Sequence, residues 1–263
     1  MKITREMAEK VRDVVAAGLS EGLGQAKPGF MCVEAAVCYA LGLPHGDDPG
    51  CVDPALRRLK IRLNDAAWPS KKARAAGLRR LAIAQLGSKG TIDTTTFVSR
   101  VTTVTIQTVV PVALRAAARL NPKHEQSLEA AASKCEQEPT IEFAHAAVDA
   151  ATAAAADAAA YAAGAAGAAA DAADAAAAAA AAADAATAAA AAADAATAAA
   201  YAGAYAAAAD AAAYAAGAAG AAADAAHANI LSEFAESVVQ ILIDLKAPGC
   251  EFLDLTPLET KSE

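Results

Sequence analysis

Aromatic residues make up only 4% of this 263-residue chain, although 56% of it is hydrophobic. Alanine fills the gap. A buried methyl contributes only about 0.8 kcal/mol, so an alanine core gains little per residue. Stability has to come from helix propensity, where alanine ranks first, and from close approach of backbones. Cysteine is also scarce: Cys32, Cys38, Cys51, Cys135 and Cys250 are an odd set without the spacing of a small disulfide scaffold. Reduced thiols in a cytoplasmic protein are expected. Met1–Arg12 is charged and helical in pattern, so no secretory leader is expected. The alanine tract lacks an uninterrupted apolar run, because aspartates stand at 157, 171, 174, 184, 194, 210 and 224. Each would cost about 2.5–3.5 kcal/mol at a bilayer centre, which argues against a membrane span there.

Positive charge is absent over a long stretch: no Lys or Arg occurs between Lys134 and Lys246. Residues 1–134 carry 20 Lys and Arg against 12 Asp and Glu, a net of +8. Residues 135–263 carry 2 against 18, a net of −16, and the two halves give the total of −8. A basic module joined to an acidic one follows. The two halves could simply attract each other, or each could serve a partner of opposite charge.

What is present reads as helix throughout. Thr4 caps a helix over 4–19, with Met7, Val11, Val14, Val15 and Leu19 at three- and four-residue spacing. A second helix is predicted over 30–41, closed by Gly42. Asp53 with Pro54 opens a third to about Asn64, and Ser70 opens a fourth to Leu86-Gly87. Asp93 opens a longer element to about Leu120. Pro111 should kink it, and Val101–Ile106 has enough strand propensity to make a short strand an alternative. Another helix is expected from His124 to Cys135.

From 151 to 228, all but 20 of 78 residues are alanine. The exceptions are patterned. Asp157, Tyr161, Gly164, Gly167 and Asp171 recur as Asp210, Tyr214, Gly217, Gly220 and Asp224, and 157–173 matches 210–226 residue for residue. Spacing of three and four places these on one stripe of a helix. Breaks near 175–183 and 203–209 would fold the tract into three antiparallel helices. The last helix has an ordinary apolar face, Ile230, Leu231, Phe234, Val238, Val239, Ile241, Leu242 and Leu245. The tail Phe252–Leu255 is expected to dock on the bundle. The expected fold is therefore all-α: a small basic helical module, 1–90, followed by an alanine-rich acidic antiparallel helical bundle, 91–263.

Several constellations could carry chemistry. Cys32, Cys38, His45 and Cys51 lie within twenty residues, but their spacing is wider than the cysteine pairs of structural zinc sites. Buried cysteine as a small hydrophobe is the simpler reading, and no metal or cofactor is expected. Cys32 near a helix start with His45 downstream is an alternative thiol-enzyme centre. Glu34, on an otherwise apolar helix, is expected to pair with Arg57 or Arg58. Residues 57–80 hold Arg57, Arg58, Lys60, Arg62, Lys71, Lys72, Arg74, Arg79 and Arg80 against one acid, Asp65. Two basic helices of this kind could hold nucleic-acid phosphates, or could simply present a solvated face.

One stretch resembles a known family. Thr108-Val109-Val110-Pro111-Val112-Ala113-Leu114, then Asn121-Pro122-Lys123, then Ser127-Leu128-Glu129-Ala130-Ala131 leads into the alanine-rich run. Over about residues 100–230 this resembles immunity proteins of bacterial polymorphic toxin systems. Those show a Val-Leu-Pro-Leu-like turn, a Pro-Arg-x-Ala-Leu-Glu-Ala-like helix start and alanine-rich helices with His and Tyr. The present chain has only His227 in the later tract, no arginine there, and an N-terminal module outside the pattern. The resemblance implies a cytoplasmic binding protein that neutralises a partner without catalysis. The leading expectation is thus a non-enzymatic protein that binds a protein partner through the acidic stripe of Asp157, Tyr161, Asp171, Asp210, Tyr214 and Asp224, with His227. Nucleic-acid binding through the basic helices and thiol chemistry at Cys32 and His45 remain alternatives, and a homo-oligomer stays open.

Overall fold

The computed structural model describes residues 2–168, 190 and 224–258. Among these the fold is all-α, without strands. The described residues form nine α-helices: α1 Arg5–Ala16, α2 Val33–Ala40, α3 Pro54–Asp65, α4 Lys71–Ala84, α5 Thr94–Val104, α6 Val110–Leu120, α7 Glu125–Gln137, α8 Ile141–Ala168 and α9 Asp224–Asp244. A π-helical segment, Thr105–Val109, joins α5 to α6, and a 3-10 helix, Pro248–Leu255, follows α9. The proposed breaks at 175–183 and 203–209 lie outside the described residues. The chain divides into two compact units, Met1–Val101 with Ala228–Glu263, and Thr102–His227. This differs from the expected division after residue 90, because the end of the chain returns to the first unit.

Capping side chains set the starts of the helices in the first unit. The Thr4 hydroxyl accepts from Met7 N at 3.4 Å, the Asp53 carboxylate from Ala55 N at 2.9 Å and the Ser70 hydroxyl from Ala73 N at 3.1 Å. Helix α2 starts later than Phe30, because Cys32 is its N-cap: its Sγ accepts from Ala35 N at 3.3 Å. Phe30 and Met31 belong instead to a loop in which Met31 bridges Gly24. The core packs Val11, Val15 and Leu19 with Val33, Val37, Leu56, Leu59, Leu63, Leu78 and Leu81, all essentially inaccessible. From α9, Leu231, Phe234, Val238 and Leu242 are buried as well.

The 3-10 helix packs on α1 and α4. Gly249 N donates to Leu86 O at 2.8 Å, and Arg5 reaches Asp254 at 2.5 Å. Gly249 is required for this approach: a Cβ there would collide with the Ile83 carbonyl and lie 2.9 Å from Ala84 O. At Gly77, a Cβ would collide with the Trp68 ring, so the absent side chain makes room for the indole. Trp68 is 7% exposed and its ring N–H donates to Leu63 O at 2.9 Å.

In the second unit the strand alternative over Val101–Ile106 is not realised; the residues are helical. Proline at 111 brings no amide hydrogen and crowds the carbonyl four residues earlier. The widened π turn over Thr105–Val109 falls directly before it and absorbs that defect. Helix α6 packs on α7, and α7 on α8. The contact face of α8 is an alanine stripe, Ala144, Ala147, Ala151 and Ala154, all at 0% exposure. Its 28 residues span about 42 Å. Among the described residues one helical run, Thr94–Leu120, is long and apolar enough to cross a membrane by length and composition, and half of that window is buried in protein.

Candidate functional site

In the first unit, charge lies inside the core. Glu34 on α2 and Lys60 on α3 are both 0% exposed, with Lys60 Nζ 3.2 Å from Glu34 Oε1. The contact is ionic, without hydrogen-bond alignment: neither Nζ nor Oε1 has a hydrogen-bond partner among the described residues. Gln85 Nε2 donates to the other carboxylate oxygen at 3.4 Å, leaving Gln85 Oε1 unpartnered. Burial pushes the Glu34 carboxyl up to about 7 against the opposing pull of Lys60. Burial lowers Lys60 in turn, while Glu34 opposes that shift. The partner of Glu34 is thus Lys60 rather than the expected Arg57 or Arg58. Arg57 instead faces Asp47 and Asp48, at 3.4 Å each. The spacing Leu56, Leu59, Lys60, Leu63 is the signal that could have revealed this, since it puts the lysine on the buried stripe.

A second buried polar group ties neighbouring segments together. Arg74, 6% exposed, donates to Asn64 O at 2.7 Å, Leu19 O at 3.2 Å and Ala66 O at 3.4 Å. The Asn64 amide accepts from Val33 N at 3.1 Å and donates to Ser20 O at 3.0 Å. The end of α3 and the starts of α4 and α2 are held by these bonds. Neither Lys60 nor Arg74 is placed to meet a phosphate, which corrects their assignment to a basic face. Arg80 is also engaged, by Glu236 at 2.9 Å and Thr256 O at 2.6 Å, and Arg79 donates to Pro257 O at 3.3 Å. Lys71 donates to Gly29 O at 3.3 Å and lies 4.1 Å from the Phe30 ring centroid. Arg58, Arg62, Lys71 and Lys72 are the exposed members of the nine.

The thiol residues are placed as structural groups. Cys32 is 5% exposed, caps α2, and is pushed up by burial, so its thiolate is disfavoured. Burial drives Cys38 up to about 12. His45 Nε2 lies 3.2 Å from Gly24 O and acts there as a donor. No bond joins His45 to Cys32. Among the described residues no three His, Cys, Asp or Glu side chains are grouped to hold a metal.

In the second unit, Asp157 is the stripe member whose side chain is described. It is paired within the unit: Lys123 contacts its Oδ2, and His124 Nε2 lies 2.8 Å from the same oxygen. Lys123 and then His124 hold its carboxyl below the usual range. Asp171, Asp210 and Tyr214 lie outside the described residues. Tyr161, Asp224 and His227 are described only as helical backbone. Arg115 clasps Glu136 at 2.5 and 2.8 Å and Glu129 at 3.2 Å, joining α6 to α7. On α8 the residues opposite the alanine stripe include exposed Glu142 and Asp149, which make no ion pair among the described residues. No family model, curated protein or solved structure matches the chain.

Proposed function

We propose that the chain is a non-enzymatic, immunity-like binding protein of the cytoplasm that engages a basic protein partner through the acidic face of its alanine-rich helices. The observation that carries this reading is the division of α8. Its alanine stripe, Ala144 to Ala154, is spent on packing, whereas Glu142 and Asp149 face outward on a tract without a cation. A face of this kind raises association rate and selects partner charge, and its effect weakens as salt rises. The Asp-Tyr-Gly-Gly-Asp repeat extends the same chemistry along the tract.

The test is capture from the native host at low salt, with wild type and with Glu142→Gln, Asp149→Asn, Asp171→Asn, Asp210→Asn and Asp224→Asn combined. Asp157 is left intact because Lys123 and His124 depend on it. A specific basic partner, lost in the combined variant and released by salt, supports the proposal. Equal recovery with the variant, or no specific partner, overturns it. A second reading draws on exposed Arg58, Arg62, Lys71 and Lys72: salt-sensitive retention on DNA, lost on Arg58→Ala with Arg62→Ala, would favour nucleic acid.

A further inference from the structure

An open cleft of about 530 Å³ lies in the first unit, between α1, α4 and residues 255–258. Its floor is made of alanine methyls, Ala16, Ala75 and Ala76, and Leu255 and Leu258 form an apolar side. Three cations stand on it, Arg12, Lys72 and Arg79, and no carboxylate is among its lining residues. Asp13 offsets Arg12 in part, through Nε at 2.8 Å; a guanidinium has further donors to offer. Lys72 is exposed and in no ion pair among the described residues. Arg79 donates to Pro257 O and so holds the segment that forms the wall.

The wall also carries an unexplained group. Thr256 is 4% exposed, yet its hydroxyl has no hydrogen-bond partner among the described residues. Its backbone is fully occupied, with N donating to Leu253 O at 3.1 Å and O accepting from Arg80 at 2.6 Å. An unpaired buried hydroxyl costs about 1–3 kcal/mol.

We propose that this cleft binds a small amphiphile with an anionic head and an apolar body, of the medium-chain carboxylate class. The head meets Arg12 and Lys72; the body lies on the alanine floor against Leu255 and Leu258. The volume is that of a small-molecule site. A peptide is the poorer fit, because the cleft offers no strand edge with which an extended backbone could pair. This site lies in the first unit and is independent of the acidic-face reading.

The test is calorimetric titration of the full chain with dodecanoate, dodecylamine and dodecan-1-ol, each below its micelle-forming concentration. Saturable binding of dodecanoate, with the amine and the alcohol at least about tenfold weaker, is expected, since one charge-assisted contact is worth that much. Arg12→Gln with Lys72→Gln should weaken dodecanoate by about tenfold or more. Unchanged Trp68 fluorescence shows that each variant is folded. Absence of saturable binding, equal binding of the amine, or indifference to Arg12→Gln with Lys72→Gln overturns the proposal. So does binding to anionic vesicles without binding of free dodecanoate.

Discussion

Removing Lys60 while leaving Glu34 in place tests the account of the first unit most directly. At 3.2 Å and an effective dielectric of about 20, the two charges attract by roughly 5 kcal/mol. Against this stands the desolvation of two ions that are wholly inaccessible, several kcal/mol each. The Glu34 carboxyl resolves which is larger. It rises from 4.5 to about 7 despite Lys60, so burial outweighs the attraction. The pair therefore adds little net stability, yet without Lys60 the buried Glu34 must either stay charged and uncompensated or take up a proton at the cost of leaving its ordinary range. Lys60→Met is expected to cost roughly 3–5 kcal/mol at pH 8. Glu34→Gln with Lys60→Met should recover most of this, because the new amide can donate to the unpartnered Gln85 Oε1.

The assay is urea unfolding followed by Trp68, the single tryptophan, which is buried in the same unit and therefore reports on it alone. The pH dependence has a definite sign. A carboxyl whose folded value is raised binds more protons in the folded state between its unfolded value and the folded one. Its stabilising contribution is full below about 4.5 and is lost as pH rises through about 7. Lys60→Met removes the largest attraction that opposes burial, so its penalty should shrink markedly at pH 5 relative to pH 8. Costs of the two single substitutions that add to within about 0.5 kcal/mol of the double variant would refute the coupling. An equal penalty for Lys60→Met at both pH values would refute the burial argument.

Gly249→Ala should destabilise the first unit by about 1–3 kcal/mol in the same urea assay, because the methyl meets the Ile83 and Ala84 carbonyls rather than a side chain that can turn away. A neutral result would mean that the 3-10 helix does not sit against α4. Thiol labelling of the native protein at neutral pH should be slow at Cys32, Cys38 and Cys135, whose thiolates burial disfavours. Fast modification of Cys32 would restore the thiol-enzyme reading. Asp157, held below its ordinary value, contributes stability above the unfolded value of 3.8 that is lost as pH falls through the folded one. Hydrogen-exchange protection factors along 141–158, corrected for the intrinsic rate at each pH, should therefore fall in acid, and Asp157→Asn should show that lower protection already at neutral pH.

The elements that could be read from sequence are those whose signal is local. Thr4, Asp53 with Pro54, and Ser70 each cap the helix that their side chain announced. The start of α2 was not legible, because a cysteine thiol does the capping and thiols are rarely counted among N-caps. The π segment before Pro111 was not legible either. A proline in a helical pattern signals a defect but not which backbone widening will absorb it. Glu34 was visibly anomalous, but its partner depends on how α2 lies on α3, and charge counting favoured the arginines over the lysine on the buried stripe. The return of the chain end to the first unit depends on Gly249 approaching the end of α4, a long-range fit that no periodicity encodes.

The same contrast explains why the second unit offers so little to a sequence reader and yet a definite prediction. Leucine and phenylalanine carry shape, so a core such as Val11, Leu59 and Leu81 specifies its own register. The alanine stripe on α8 carries almost none, and packing through it is compatible with many neighbours. Specific contacts then fall to the few residues that are not alanine. Arg115 against Glu129 and Glu136, and Lys123 with His124 against Asp157, are such contacts between the helices of the unit. Those pairs engage Arg115, Lys123 and His124, and no Lys or Arg follows Lys134 before Lys246, while the acids continue to 224. A partner of the alanine tract must therefore bring its own positive charge, and binding should weaken with salt whatever the partner's fold.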